Sequence, residues 1–123
     1  MTDHISAEQY RKEATKPKRS KYRNVPTVID NIRFASKREA AYYQELKLRE
    51  KAGEVYEIEL QRRYALTAPN GMLLATYIAD MVFYDAVQRK TRVVDVKGKS
   101  TDMFILKRKM MRGLLGIEVE VVK

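Results

Sequence analysis

Asp95 and Lys97 lie two residues apart in the run Thr91-Arg92-Val93-Val94-Asp95-Val96-Lys97, where strand alternation puts both on one face with Thr91 and Val93. A second carboxylate, Asp80, interrupts the apolar stretch from Met72 to Tyr84, whose β-branched and aromatic residues also predict a strand. Alternation there groups Ile78, Asp80, Val82 and Tyr84 on one face, against Tyr77, Ala79, Met81 and Phe83 on the other. If Asp85 and Lys90 close a four-residue loop, Ala86 to Arg89, the two strands form a hairpin whose paired positions sum to 175. Asp80 then stands directly across from Asp95.

Two carboxylates about 5 Å apart at Cβ on neighbouring strands repel, at a cost of roughly 0.2–1 kcal/mol and more where buried. A divalent cation resolves the conflict, because Mg²⁺ takes oxygen ligands, usually one or two carboxylates with waters and phosphate oxygens. Lys97 beside such an ion would orient or deprotonate an attacking water, or stabilise the charge on a pentacoordinate phosphate. That is metal-assisted hydrolysis. Glu39 is the natural third carboxylate: on the helix predicted from Ser36 it shares a face with Tyr43 and Leu46 at i, i+4 and i+7. Asp80, Asp95 and Glu39 are therefore the predicted metal ligands, and with Lys97 the predicted catalytic set. Each also has an ordinary reading. Asp95 and Lys97 can form an ion pair, Ser36-x-x-Glu39 matches a capping box, and Asp80 can accept hydrogen bonds within the sheet.

The composition removes competing chemistries. With 123 residues, 45% hydrophobic and 33% charged, the chain can close one core. It has no Cys and a single His, His4, so zinc fingers, His-dependent nucleases, thiol enzymes and Ser-His-Asp hydrolases each lack an essential residue. No segment approaches the roughly 20 apolar residues of a spanning helix and no apolar signal region follows Met1, so no membrane partner and a cytoplasmic location are expected. Lys plus Arg number 25 and Asp plus Glu 16, a net charge of +9. Such an excess repels itself unless something acidic binds, and nucleic acid is the default partner.

The charge is uneven. Arg11, Lys12, Lys16, Lys18, Arg19, Lys21 and Arg23 face Glu13 alone, and Lys97, Lys99, Lys107, Arg108, Lys109 and Arg112 enclose only Asp102. Residues 1–35, with Pro17 and Pro26 and few aliphatics before Val25, read as a basic, partly disordered arm ending in a short extended piece. Residues 36–123 read as the core domain. Within it, a helix runs from the N-cap Ser36 to Ala52, with Gly53 placed as a C-cap. Strand pieces follow at Val55 to Gln61 and Tyr64 to Leu66, then a turn at Pro69-Asn70-Gly71 and the hairpin described above. A second helix spans Met103 to about Leu115 with Met103, Leu106, Met110 and Leu114 on one stripe, and a strand closes the chain from Ile117 to Val122. The order α, β, β, β, α, β makes an α/β, or α+β, domain with a mixed central sheet flanked by helices.

That order, with Glu39 on the first helix, Asp80, and then Asp95-Val96-Lys97, resembles the PD-(D/E)XK, or restriction-endonuclease-like, nuclease superfamily. More closely, Ser36-Lys37-Arg38-Glu39-Ala40, Tyr43-Gln44-Glu45-Leu46, Leu60-Gln61, Thr76-Tyr77-Ile78-Ala79-Asp80 and Asp95-Val96-Lys97-Gly98 resemble a small family carried by phages and prophages, formerly of unknown function, within that superfamily. Ala79 stands where the name-giving Pro would be. The resemblance implies that Asp80 and Asp95 hold Mg²⁺ or Mn²⁺, that Lys97 serves the nucleophilic water, and that Gln61 supports the site. Gln61 is equally a polar residue at a sheet end.

The resulting expectation is a phage-type, Mg²⁺-dependent endodeoxyribonuclease acting on branched or junction DNA. The argument for branches is economy: a chain this short leaves little room for a base-reading module, whereas branch shape is read through phosphates. Lys99, Lys107, Arg108, Lys109 and Arg112 near the sheet end, and Lys18, Arg19, Lys21 and Arg23 of the arm, are the expected DNA contacts. A two-fold homodimer would let two sites cut opposed strands. The alternative is a non-catalytic DNA-binding protein on a nuclease-like scaffold.

Overall fold

The structure, a computed structural model, describes residues 27–123. It is an α+β fold in which a mixed four-stranded sheet carries one helix on each face. The chain runs β1 (Thr27–Ile29), β2 (Ile32–Phe34), α1 (Lys37–Lys51), β3 (Val55–Thr67), β4 (Leu73–Asp85), β5 (Lys90–Val96), α2 (Asp102–Leu115) and β6 (Val119–Val122). The sheet order is β3-β4-β5-β6, antiparallel except for the parallel pair β5 and β6, while β1 and β2 form a separate hairpin. No helix of the described residues is long and apolar enough to cross a membrane.

Local chemistry sets the element ends. Ser36 caps α1, its hydroxyl accepting the Glu39 N–H at 3.2 Å, and the chain leaves the helix through Gly53 at φ 78°. Thr101 caps α2 in the same way at 3.1 Å, and Gly116, at φ 68°, ends it. The hairpin β4–β5 keeps the predicted register, with Asp85 paired to Lys90 and Met81 to Val94. The two predicted strand pieces after Gly53 are one continuous strand, β3, with left-handed residues at Glu57 and Gln61.

Three sequence expectations change. The folded unit reaches back past Ser36: Asp30 and Asn31, both at positive φ, make a two-residue turn, and Phe34 enters the core against Tyr43 at 5.0 Å between rings. The arm before Thr27 lies outside the described residues. On α2 the buried residues are Phe104 and Met111, with Met110 and Leu114 partly buried, whereas Met103 and Leu106 are exposed. The helix is rotated from the predicted stripe so that Phe104, packed near Tyr77, and the fully buried Met111 lie against the sheet. The third change is on β4. Tyr77 and Ala79 pack on the α2 side, but Met81 and Phe83 pack on the α1 side, and Val82 joins the α2 side. Strict alternation therefore fails at Asp80.

A buried charge cluster ties the elements together. Asp85 is fully buried at the β4–β5 turn and accepts the Val87 and Gln88 N–H groups at 2.9 and 3.0 Å, Arg92 Nη1 at 3.0 Å and Arg49 Nη2 at 3.3 Å. Arg49 also pairs with Glu54, and Arg92 with Glu120, so α1, β5 and β6 are joined through one carboxylate. The Gln88 N–H, then the two guanidinium groups and the Val87 N–H, hold the Asp85 carboxyl down at about 2, against an ordinary 3.8.

A carboxyl with a depressed folded-state pKa contributes stability that is present above about pH 4 and lost as pH falls through about 2. Asp85→Asn is expected to cost about 3 kcal/mol at pH 7, because it leaves two arginines without their shared partner. The variant's melting temperature should also fall less steeply than the native protein's between pH 4 and pH 2. Urea titration at pH 7 and thermal melts across that range measure both effects.

Candidate active site

The β4–β5 ladder ends at Met81 and Val94, so the next pair is Asp80 and Asp95, and the strands fork there. Asp80 fills the fork with its own side chain: Oδ2 accepts the Val96 N–H at 2.9 Å in place of a main-chain carbonyl. The neighbouring pair on β3 shows the cause. Leu60 pairs with Met81 and Arg62 with Ala79, yet Gln61, between them, sits at φ 55°. Leu60 packs on the α1 side and Tyr64 and Leu66 on the α2 side, so both strands exchange faces at one level while the register holds. Asp80 is thereby turned along the sheet edge toward β5 instead of onto a face.

From that position Asp80 reaches carboxylates on both sides. Its carboxyl feels both Asp95, whose strand carries it to the α2 side, and Glu39, which faces inward from the first turn of α1. Asp95 and Glu39 are 2% and 6% exposed. The three acids expected to meet around one ion straddle the end of the sheet, Asp95 on the α2 side and Glu39 on the α1 side, with Asp80 between them.

Each acid has donors. The Tyr77 hydroxyl donates to Asp95 Oδ2. The Ala35 N–H donates to Glu39 Oε1 at 3.2 Å and Gln61 Nε2 to Glu39 Oε2 at 3.4 Å. The capping-box return thus goes to the residue before the N-cap, and Gln61, exposed and left-handed in its backbone, reaches Glu39 with its side-chain amide. Lys97 shares the Asp95 face as predicted, and its Nζ lies 4.6 Å from the centroid of the Phe104 ring, a cation–π seat beside the acids. A cleft of about 240 Å³ opens on the α1 side, lined by Ile32 to Ala35 of the hairpin, Glu39, Leu60, Gln61 and Asp80.

The electrostatics follow from burial without enough positive charge. Burial, then the adjacent Asp80, push the Asp95 carboxyl up to about 7, against the pull of the Tyr77 hydroxyl and the Lys97 ammonium. Burial also raises Asp80, with Glu39 adding to it. Tyr77 is raised as well, by burial and by its bond to Asp95, so it remains a donor.

The residues fit a hard divalent cation. Every donor is a carboxylate oxygen, and the Asp80–Asp95 pair carries like charge that such an ion would reconcile. Among the described residues no three acidic or His groups converge at ligand spacing as they stand, so the unit that stands ready is the pair. Glu39 has lone pairs left toward Asp80 after accepting from Ala35 and Gln61.

Sequence reasoning missed two residues here. Tyr77 was assigned to the face away from Asp80, and only the exchange of faces lets it reach Asp95. Arg38 was named only within a motif and given no role, and its guanidinium lies against Gly98, the residue after Lys97. The expected DNA contacts divide. Lys107 Nζ donates to the Thr76 carbonyl at 2.9 Å, Arg108 Nε to the Val119 carbonyl at 3.0 Å, and Arg112 pairs with Glu118 at 3.0 Å. Lys99 and Lys109 are exposed. Lys18, Arg19, Lys21 and Arg23 lie outside the described residues.

Comparison with known families finds one model, described as a protein of unknown function (DUF1064), matching residues 19–115, which include Glu39, Gln61, Asp80, Asp95 and Lys97. No curated protein and no solved structure gives a significant match.

The buried bond from Tyr77 to Asp95 should be measurable as a coupling. Tyr77→Phe is expected to cost about 1.5–3 kcal/mol, the range for a hydrogen bond to a charged group. In an Asp95→Ala background the same change should cost under about 0.5 kcal/mol. A double-mutant cycle by urea unfolding at pH 8 gives the difference.

Proposed function

The chain belongs to the DUF1064 family, and for this member we propose a metal-dependent endodeoxyribonuclease, built on a restriction-endonuclease-like core and selective for branched or junction DNA. The observation that carries the reading is the placement of Asp80, bonded to the Val96 N–H, next to Asp95 at the fork of β4 and β5, with Lys97 the first residue after β5. A buried acid beside a half-buried one costs stability, and the arrangement gains a purpose if they share a cation and a phosphodiester. The order α1, β3, β4, β5, α2, β6 and the mixed sheet support the same core.

In this reading Asp80 and Asp95 hold Mg²⁺, or Mn²⁺ in its place, and Glu39 completes the acidic wall. When bound, the ion supplies Lewis-acid polarisation of the phosphodiester and lowers the pKa of water. Tyr77 fixes one Asp95 oxygen, leaving the other to face Asp80. Gln61 holds Glu39 in place. Lys97, on a flexible four-carbon stem, leaves the Phe104 ring to meet the attacking water or the developing charge on phosphate. The net charge of +9 suits binding through phosphates, the contacts by which branch shape is read. A two-fold dimer would cut opposed strands at one branch.

A second reading, a non-catalytic DNA-binding protein on the same scaffold, takes its support from Lys97, whose ammonium is seated on Phe104 instead of between the acids. Metal dependence separates the two. The native protein is expected to cleave four-way or flap DNA with Mg²⁺ or Mn²⁺ and not in EDTA. Asp95→Ala and Lys97→Ala should each lower the cleavage rate by at least about a hundredfold while still binding. Cleavage retained in both variants overturns the site. Binding without cleavage of any substrate by the native protein establishes the scaffold reading.

A further inference from the structure

We infer that Arg38 is a phosphate anchor at the mouth of the site, binding the nucleic-acid backbone next to the phosphate held by the acids and Lys97. The inference rests on the nuclease reading only in taking the ligand to be a phosphodiester strand. Arg38 and Glu39 are neighbours in the first turn of α1, but they face opposite ways. Glu39 is buried against Asp80 and Gln61, and Arg38 is exposed.

From there the Arg38 side chain crosses to the end of β5. Its Nη1 would stand 2.8 Å from a Cβ at Gly98, so the guanidinium occupies the space that any side chain at 98 would need. The chain between Asp95 and Gly98 thus has the catalytic lysine at one position and, one residue later, a bare backbone under an arginine. Gly98 has no positive φ, so its backbone does not call for a glycine, and a Cβ there would meet only the movable end of the Arg38 side chain.

Among the described residues Arg38 has no hydrogen-bond or ion-pair partner, a trait it shares with Arg33, Arg63 and Arg89, and what sets it apart is its place against Gly98; Arg49, Arg62, Arg92 and Arg112 are paired with acids. An unpaired guanidinium held beside an acidic cleft is unsuited to bind the acids' own ligand, a cation. It suits the anion that comes with that ligand, and its fork of donors matches two phosphate oxygens.

The test is DNA affinity in EDTA, where no cleavage can intervene. Dissociation constants of a labelled four-way junction are measured by fluorescence anisotropy from 50 to 300 mM KCl for the native protein, Arg38→Gln, Arg38→Lys, Gly98→Ala and a control, Lys51→Gln, at the far end of α1. Arg38→Gln is expected to weaken binding about five- to tenfold near 0.1 M salt and to lower the slope of log K against log salt by about 0.9, the value for one phosphate contact. Arg38→Lys should keep the slope. Gly98→Ala should weaken binding with the charge unchanged, because the flexible guanidinium moves before the backbone does. The control should change affinity less than twofold. An unchanged slope in Arg38→Gln, or an equal loss in Lys51→Gln, overturns the proposal. A native protein that binds but never cleaves defeats the nuclease reading and leaves this measurement standing.

Discussion

One exchange of side chain for backbone organises the end of the sheet. Where the β4–β5 ladder stops, the part-buried Val96 N–H would lack a partner on β4, and the Asp80 carboxylate takes it. A buried main-chain donor must be paired, so Asp80 is held in the fork by the same requirement that holds sheets together. Its carboxyl then has no choice but to meet Asp95 on one side and Glu39 on the other. The left-handed backbone at Gln61 on the adjacent strand lies at the same level as this exchange of faces.

Two buried aspartates of one hairpin show what separates framework from site. Asp85 is surrounded by two guanidinium groups and two turn N–H groups, which keep its carboxyl ionised down to about 2. Asp95 has a tyrosine hydroxyl for a donor and another acid for a neighbour, and its carboxyl is pushed up to about 7. Both lie within the same sheet and both are buried, so burial alone does not distinguish them. The difference is formal positive charge. Asp85 has its own cations within the chain, whereas the acids at the fork have neutral donors and an ammonium seated over a ring. A site short of positive charge inside a protein of net charge +9 is the pattern expected where a ligand brings the missing charge.

The register of the β4–β5 hairpin was legible because loop length and turn residues set it, and paired positions summing to 175 recur in the structure from Asp85–Lys90 to Met81–Val94. The inward face of α1 was legible too: Glu39, Tyr43 and Leu46 are all buried, as a period of 3.6 requires. The hairpin at Asp30-Asn31 carried a signal that went unread, a pair of residues tolerant of positive φ between short apolar runs. The buried face of α2 was not legible from spacing, since Met103, Phe104 and Leu106 are all apolar and only the shape of the sheet surface selects Phe104.

By itself the sequence determined the order of elements from α1 onward, the register of the β4–β5 hairpin, and the face on which Asp95 and Lys97 lie, because each follows from local periodicity and turn length. Only the tertiary structure decided that Asp80 points along the fork, that Tyr77 and Gln61 support the acids, and that Arg38 crosses to Gly98. Those outcomes depend on a coordinated exchange of faces in two strands, and on contacts between residues far apart in the chain. Period-two alternation cannot show where two strands abandon it together.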